Sequence, residues 1–146
     1  MSDDEVGAFL DEERVLNVAT NGPSGHPHVV AMWFAMRDGS PVFWTFGKSQ
    51  KVTNLRRDPK VSALVEAGDV YEELRGVELV GTARVIEDHD EVVAIARLVS
   101  TKYAGGAPPG AAAEEFIEAQ ARKRVGVVID VERVVSWDHR KLSGRY

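Results

Sequence analysis

Along most of the chain apolar and polar positions alternate with a period of two. The alternation is broken by stretches where apolar residues fall three and four apart. Val6, Phe9 and Leu10 have helical spacing, and Ser2 with Glu5 makes a capping box ahead of them, so a helix is predicted to end near Glu13. Arg14 to Thr20 changes to strand alternation, with Val15, Leu16 and Val18 available for burial. Asn21-Gly22-Pro23-Ser24-Gly25 is a dense turn signal. His28 to Met36, rich in β-formers and aromatics, is predicted to turn at Arg37-Asp38-Gly39-Ser40 and pair with Val42 to Phe46 as a hairpin.

Ser49 reads as the N-cap of a short helix with Val52 and Leu55 as its apolar stripe, stopped at Asp58-Pro59. Val61, Ala63 and Val65 alternate with polar neighbours as a half-buried strand. Residues 74–86 make a longer one, with Gly81 where a bulge or tight bend is expected. Asp88 or Asp90 caps a helix carrying Val92, Ile95, Ala96 and Val99 that ends near Tyr103. Residues 105–110 read as a mobile loop and candidate lid, followed by a helix over about 111–123. Val125 to Val135 is the last predicted strand, and residues 136–146 read as a tail. About six strands joined mostly by hairpin-length turns predict a mainly β, six-stranded antiparallel barrel with peripheral α-helices, a single domain over 1–146. The βα alternation of a parallel sheet is missing.

Composition narrows the function. With 146 residues, 44% hydrophobic and 28% charged, the chain has the balance of one globular domain. The lack of cysteine excludes disulfides, thiolate metal sites, iron–sulfur clusters and a cysteine nucleophile. Met1-Ser2-Asp3-Asp4-Glu5 is acidic where a signal peptide is basic, and no apolar run approaches the ~20 residues of a membrane span, so a cytoplasmic protein is expected. The net charge of −5 argues against nucleic acid as a partner. Its distribution is more telling: residues 1–13 carry a local −6, while residues 47–60 hold Lys48, Lys51, Arg56, Arg57 and Lys60 against Asp58 alone. A basic patch in an acidic protein suits a small anion.

Within that patch, Thr45-Phe46-Gly47-Lys48-Ser49-Gln50-Lys51 places a strand end, a glycine turn, two hydroxyls and two lysines at the mouth of a helix. Free amide N–H groups and the positive end of the helix dipole favour an anion there, and Lys48 and Lys51 are neighbours on one helix face. The pattern reads as a phosphate cradle; it fits equally a solvated basic helix with a serine cap. His26 and His28 have no third ligand nearby, so no metal site is predicted. No paired carboxylates, Gly-x-Ser-x-Gly elbow, Walker loop or Rossmann fingerprint is present.

The stretch from Val42 to Ser62, with its aromatic-Thr, Ser-x-Lys and Asn-Leu-x-x-Asp-Pro elements, resembles the flavin-binding split-barrel superfamily of pyridoxamine 5′-phosphate oxidases and actinobacterial deazaflavin-dependent reductases. Gly25-His26-Pro27 with the following strand, and Glu73 to Ala83, extend the resemblance over roughly residues 9–136. It implies a six-stranded antiparallel split barrel. It also implies that Thr45, Ser49 and Lys51 hold the cofactor phosphate, that Val30, Met32 and Trp33 lie along the ring, and that Trp44 is the aromatic before the threonine. Members are homodimers with cofactor sites at the interface, so Trp137 and the tail are expected to reach the partner's cofactor. Pyridoxamine phosphate oxidases carry an Arg-Lys pair where this chain has Gln50-Lys51, an arginine where it has Val30, and a C-terminal Arg-x-His that it lacks. The Asn-Leu-Arg-Arg-Asp-Pro string looks closer to the deazaflavin branch, whose cofactor, coenzyme F-420, has an acidic tail that Lys48, Arg56 and Arg57 are placed to meet. The resemblance thus implies an oxidoreductase using deazaflavin for hydride transfer to a small unsaturated substrate. The alternatives are an FMN-dependent oxidoreductase and a non-catalytic flavin- or haem-binding protein.

Overall fold

Residues 1–142 are described by the structure, a computed structural model. Strand β1 (Leu16–Asn21) buries Leu16, Val18 and Thr20 and turns the residues between them outward. β2 (Pro27–Met32) pairs with it, and β5 (Lys60–Ala67) lies on its other side. β6 (Arg75–Ile86) joins β5 to β7 (Arg124–Asp138), β7 pairs with β4 (Ser40–Phe46), and β4 with β3 (Ala35–Arg37). All pairings are antiparallel, in the order β2-β1-β5-β6-β7-β4-β3. The two edge strands, β2 and β3, are continuous in the chain through Trp33-Phe34, so the sheet curls into a split barrel.

The expected fold class holds, with seven strands among the described residues instead of six. The run from His28 to Met36 is two strands, because its first half pairs with β1 and only Ala35–Arg37 joins β4 in the hairpin. The final strand also runs past Val135: Ser136, Trp137 and Asp138, expected in the tail, pair with Val77, Gly76 and Arg75. A 3-10 turn follows at His139–Lys141, and residues 143–146 of the expected tail lie outside the described residues. Gly81 stands at the register shift between β6 and β7, where a Cβ would come within 2.0 Å of the Asp130 carbonyl oxygen. Only glycine fits there.

The barrel interior is filled by Leu16, Val18, Phe34, Phe43, Val65, Val77, Leu79, Val127 and Ile129. Helix α1 (Asp3–Glu12) plugs one end with Phe9 and Leu10, near the start of β6, where Arg75 lies over the Phe9 ring. Helix α2 (Gln50–Arg57) closes the other end with Leu55. Helices α3 (His89–Tyr103) and α4 (Ala111–Ala121) pack on the outside, with Ile95 and Val99 against Val42 and Val128.

Candidate functional site

The α2 end of the barrel gathers polar groups that the fold leaves unsatisfied. Ser49 has the extended backbone of an N-cap, yet its side chain makes no capping bond and its buried Oγ has no partner among the described residues. Within the first turn of the helix, Lys51 is only 7% exposed, and its Nζ donates to Thr45 Oγ1 at 3.0 Å. Among the described residues it has no carboxylate partner. Burial holds this ammonium below the ordinary lysine range, and the nearby Arg124 guanidinium pushes the same way. A cation buried without a counter-ion is costly, and here the fold supplies none.

The same end is tied to β1 and β2. Asn54, fully buried on α2, donates to Thr20 Oγ1 at 3.0 Å, and Thr20 stands opposite His28, whose Nδ1 is also buried without a partner. On the β4 side, Phe46 pairs with Arg124, whose guanidinium lies over Phe46 (4.2 Å to the ring centroid) and Trp44 (4.6 Å). Arg124 Nε is a further buried group with no partner among the described residues. Beside these groups opens a cavity of about 830 Å³ lined by Lys48, Ser49, Arg56, Arg122, Lys123 and Arg124, with Glu87 its one carboxylate.

The structure therefore brings together Thr45, Lys48, Ser49, Lys51 and Arg56, with Trp44 beneath Arg124. Other residues singled out from the sequence lie apart. Arg57 turns to β1, donating to the Asn21 carbonyl and to Asn54 Oδ1 at 3.3 Å. Val30 and Met32 pack against the barrel core. Trp33, 62% exposed, stacks on Tyr103 at 4.1 Å, and the Tyr103 hydroxyl bonds the Phe34 amide and the Arg14 carbonyl near the α1 end. Trp137 lies over Gly76 on the outer face of the sheet. The triplet Arg122-Lys123-Arg124 was missed because it reads as the polar end of a helix predicted to reach 123. Helix α4 stops at Ala121 and gives the triplet to the cavity. Its signal was an unbroken basic run directly before a strand. Residues 105–110 form a loop between α3 and α4, with Gly105 and Gly106 at positive φ.

Residues 2–138 match the family model described as pyridoxamine 5′-phosphate oxidase. Among solved structures, the conserved hypothetical protein Rv2991 of Mycobacterium tuberculosis is 42% identical, with a TM-score of 0.91 over 100% of this chain and 90% of that one. A protein described as an F-420 reductase is 26% identical, with a TM-score of 0.67 over 88% of this chain and 94% of its own. An FAD-binding protein from Mesorhizobium loti shares the fold at 23% identity, with a TM-score of 0.70 over 93% and 94%. A comparison with curated proteins finds no match. No helix among the described residues is long and apolar enough to cross a membrane. The chain belongs to the pyridoxamine 5′-phosphate oxidase family, within the flavin-type oxidoreductases built on the split barrel.

Proposed function

We propose that the protein is an oxidoreductase that binds the deazaflavin coenzyme F-420 and transfers hydride to a small unsaturated organic substrate. The observation that carries this reading is the donor set at the α2 end that the described residues leave uncompensated: buried Lys51 without a carboxylate, and Ser49 Oγ without an acceptor. A phosphate satisfies both, and its charge offsets the penalty that burial and Arg124 impose on Lys51. When bound, the deazaflavin ring supplies the hydride chemistry. The chain's own work is to bind, orient and exclude water. Thr45 fixes the Lys51 ammonium, the first turn of α2 presents amide N–H groups to the phosphate, and the barrel strands shield one side from solvent. This division of labour explains why no acid–base dyad stands out.

The outer face of β1, β2, β5, β6 and β7 supports a homodimer with its cofactor sites at the interface. Val29 is 62% and Val135 37% exposed there, beside Leu64, Val80 and Trp137, and this patch lies away from α3 and α4, of which α3 packs on Val128 in the first half of β7. The test is equilibrium binding of coenzyme F-420 and FMN to the apo-protein side by side, with oligomeric state followed by light scattering. Tighter F-420 binding by a dimer is expected. FMN binding without F-420 binding makes the protein an FMN-dependent oxidoreductase, and binding of neither overturns the redox reading.

A further inference from the structure

We infer that Asn54 is a positioning residue for the phosphate cradle: its bond to Thr20 bolts α2 to β1 and so sets the rotation of the helix that aims Lys51 and Ser49 at the ligand. The role rests on the cradle proposed above and is exercised through other residues.

A polar pair buried between a helix and a strand is not what packing alone requires. Asn54 is 0% and Thr20 2% exposed, and Asn54 Nδ2 donates to Thr20 Oγ1 at 3.0 Å. Val52 and Leu55 of the same helix are buried and apolar. Apolar contacts hold a helix down without fixing its rotation, because hydrophobic burial is non-directional, whereas a hydrogen bond has a direction. The Asn54 amide is itself oriented: its Oδ1 accepts from Gln50 Nε2 at 2.7 Å and from Arg57 at 3.3 Å, so either donor alone keeps its N–H aimed at Thr20.

Asn54 stands three residues after Lys51, which makes the two neighbours on the inward face of α2. A rotation that breaks the Thr20 bond therefore swings Lys51 away from Thr45 as well. Thr45 is on β4 and Thr20 on β1, strands with β5, β6 and β7 between them in the sheet, so α2 is held from two sides of the barrel end. The two anchors differ in kind. The Thr45 bond is made by Lys51, the group the ligand engages, and the Ser49 side chain makes no cap bond. Neither is a fixed reference for the other. The Thr20 bond is made by a neutral side chain facing away from solvent, and it fixes the first turn before any anion arrives.

The experiment needs no flavin. Inorganic phosphate is titrated calorimetrically at low salt into the wild-type protein, Thr20→Val, Thr20→Ser, the double variant Thr20→Val/Asn54→Leu, Lys51→Met and Ser2→Ala, with a thermal melt for each. The double variant replaces both partners by apolar groups of similar size, which costs little stability, whereas Thr20→Val alone leaves the buried Asn54 amide unmet. Both are expected to bind phosphate about tenfold more weakly, the double variant while melting close to wild type. Thr20→Ser keeps the hydroxyl and is expected to bind as wild type does. Ser2→Ala, destabilised at the α1 end, is expected to keep full affinity. If Thr20→Val and the double variant bind phosphate as Thr20→Ser does while Lys51→Met loses affinity, the positioning role is overturned. It is overturned equally if affinity follows melting temperature across the set, Ser2→Ala included, since that is the mark of a merely structural bond. If Lys51→Met binds phosphate as tightly as wild type, the cradle itself falls, and the role of Asn54 with it.

Discussion

The two ends of the barrel are closed by similar short helices and treat their polar groups in opposite ways. At the α1 end nearly everything is paired. Ser2 and Glu5 cap the helix reciprocally, and the Met1 ammonium donates to Ser136 Oγ. Lys102, at the end of α3, donates to the Leu10 carbonyl at 2.9 Å, with its ammonium 3.7 Å from the centroid of the Phe34 ring. At the α2 end, among the described residues, the corresponding serine caps nothing, the corresponding lysine meets only a hydroxyl, and an arginine keeps an unmet donor. Both lysines are desolvated, but Asp11 and Glu13 pull Lys102 back toward the charged form, whereas Arg124 pushes Lys51 further from it. Unmet donors concentrated at one end are the groups that the proposed ligand would satisfy.

The sharpest way to break this contrast is to exchange each lysine for methionine. Lys51→Met removes a cation that the apo-protein does not compensate, so its melting temperature is expected to hold or rise while phosphate or cofactor affinity falls by ~1.5–3 kcal/mol, a hydrogen bond between charged groups. Lys102→Met leaves the Leu10 carbonyl without its donor and is expected to cost about 1–3 kcal/mol of stability with ligand affinity unchanged. Scanning calorimetry with and without phosphate reads both. Destabilisation by Lys51→Met in the apo state contradicts the picture.

The lysines also govern the pH dependence of different quantities, stability for Lys102 and phosphate affinity for Lys51. Burial brings Lys102 down to about 8. Between there and the ordinary lysine value near 10.4, the unfolded chain holds a proton that the folded chain has released, so this group makes stability rise with pH across that window. Lys102→Met is expected to flatten that rise in melts run from pH 7 to 10. Phosphate affinity goes the other way. It depends on the charged form of Lys51 and is expected to fall as pH rises through that lysine's lowered pKa, with Lys51→Met abolishing the fall.

A smaller contrast separates the serines. Ser2→Ala breaks a capping box and is expected to cost about 1 kcal/mol of stability. Ser49→Ala removes a hydroxyl with no partner, so thermal melts of the apo-protein are expected to show almost no change, and only the ligand-bound form to lose stabilisation.

The same contrast explains how much was legible in the sequence. The elements were, because caps, alternation and breakers act locally: Ser2 with Glu5, the stop at Asp58-Pro59 and the alternation of β5 each carried their own signal. The break at Trp33-Phe34 was not, since nothing local says that one half of a run pairs with β1 and the other with β4. The end of β7 was hidden for the same reason: its length is set by β6, with Arg75 opposite Asp138. At the candidate site, the spacing singled out Thr45, Lys48, Ser49 and Lys51. That Lys51 lacks a counter-ion, and that Arg124 stands over Trp44 and Phe46, are cross-strand facts that spacing does not carry.

The smallest effect concerns two neighbours on α2 that the sequence offered as a pair. Successive helical residues point about 100° apart. Arg56 accordingly lines the cavity and pairs with Glu87, while Arg57 turns toward the Asn21 carbonyl. Arg56 and Glu87 are both well exposed, at 49% and 72%, so their pairing is worth no more than ~0–1 kcal/mol. An anion reaching the cavity therefore has little to displace. Arg56→Gln is expected to weaken coenzyme F-420 binding only a few-fold, to weaken it more with each added glutamate in the tail, and to leave FMN binding unchanged. Arg57→Gln is expected to leave both affinities alone and to lower the melting temperature slightly, because it removes the donor held by Asn21 and Asn54. Binding curves with short- and long-tailed cofactor decide between them. If the variants behave alike, the ligand does not distinguish the two faces of α2, and the cavity on the Arg56 side has no part in holding it.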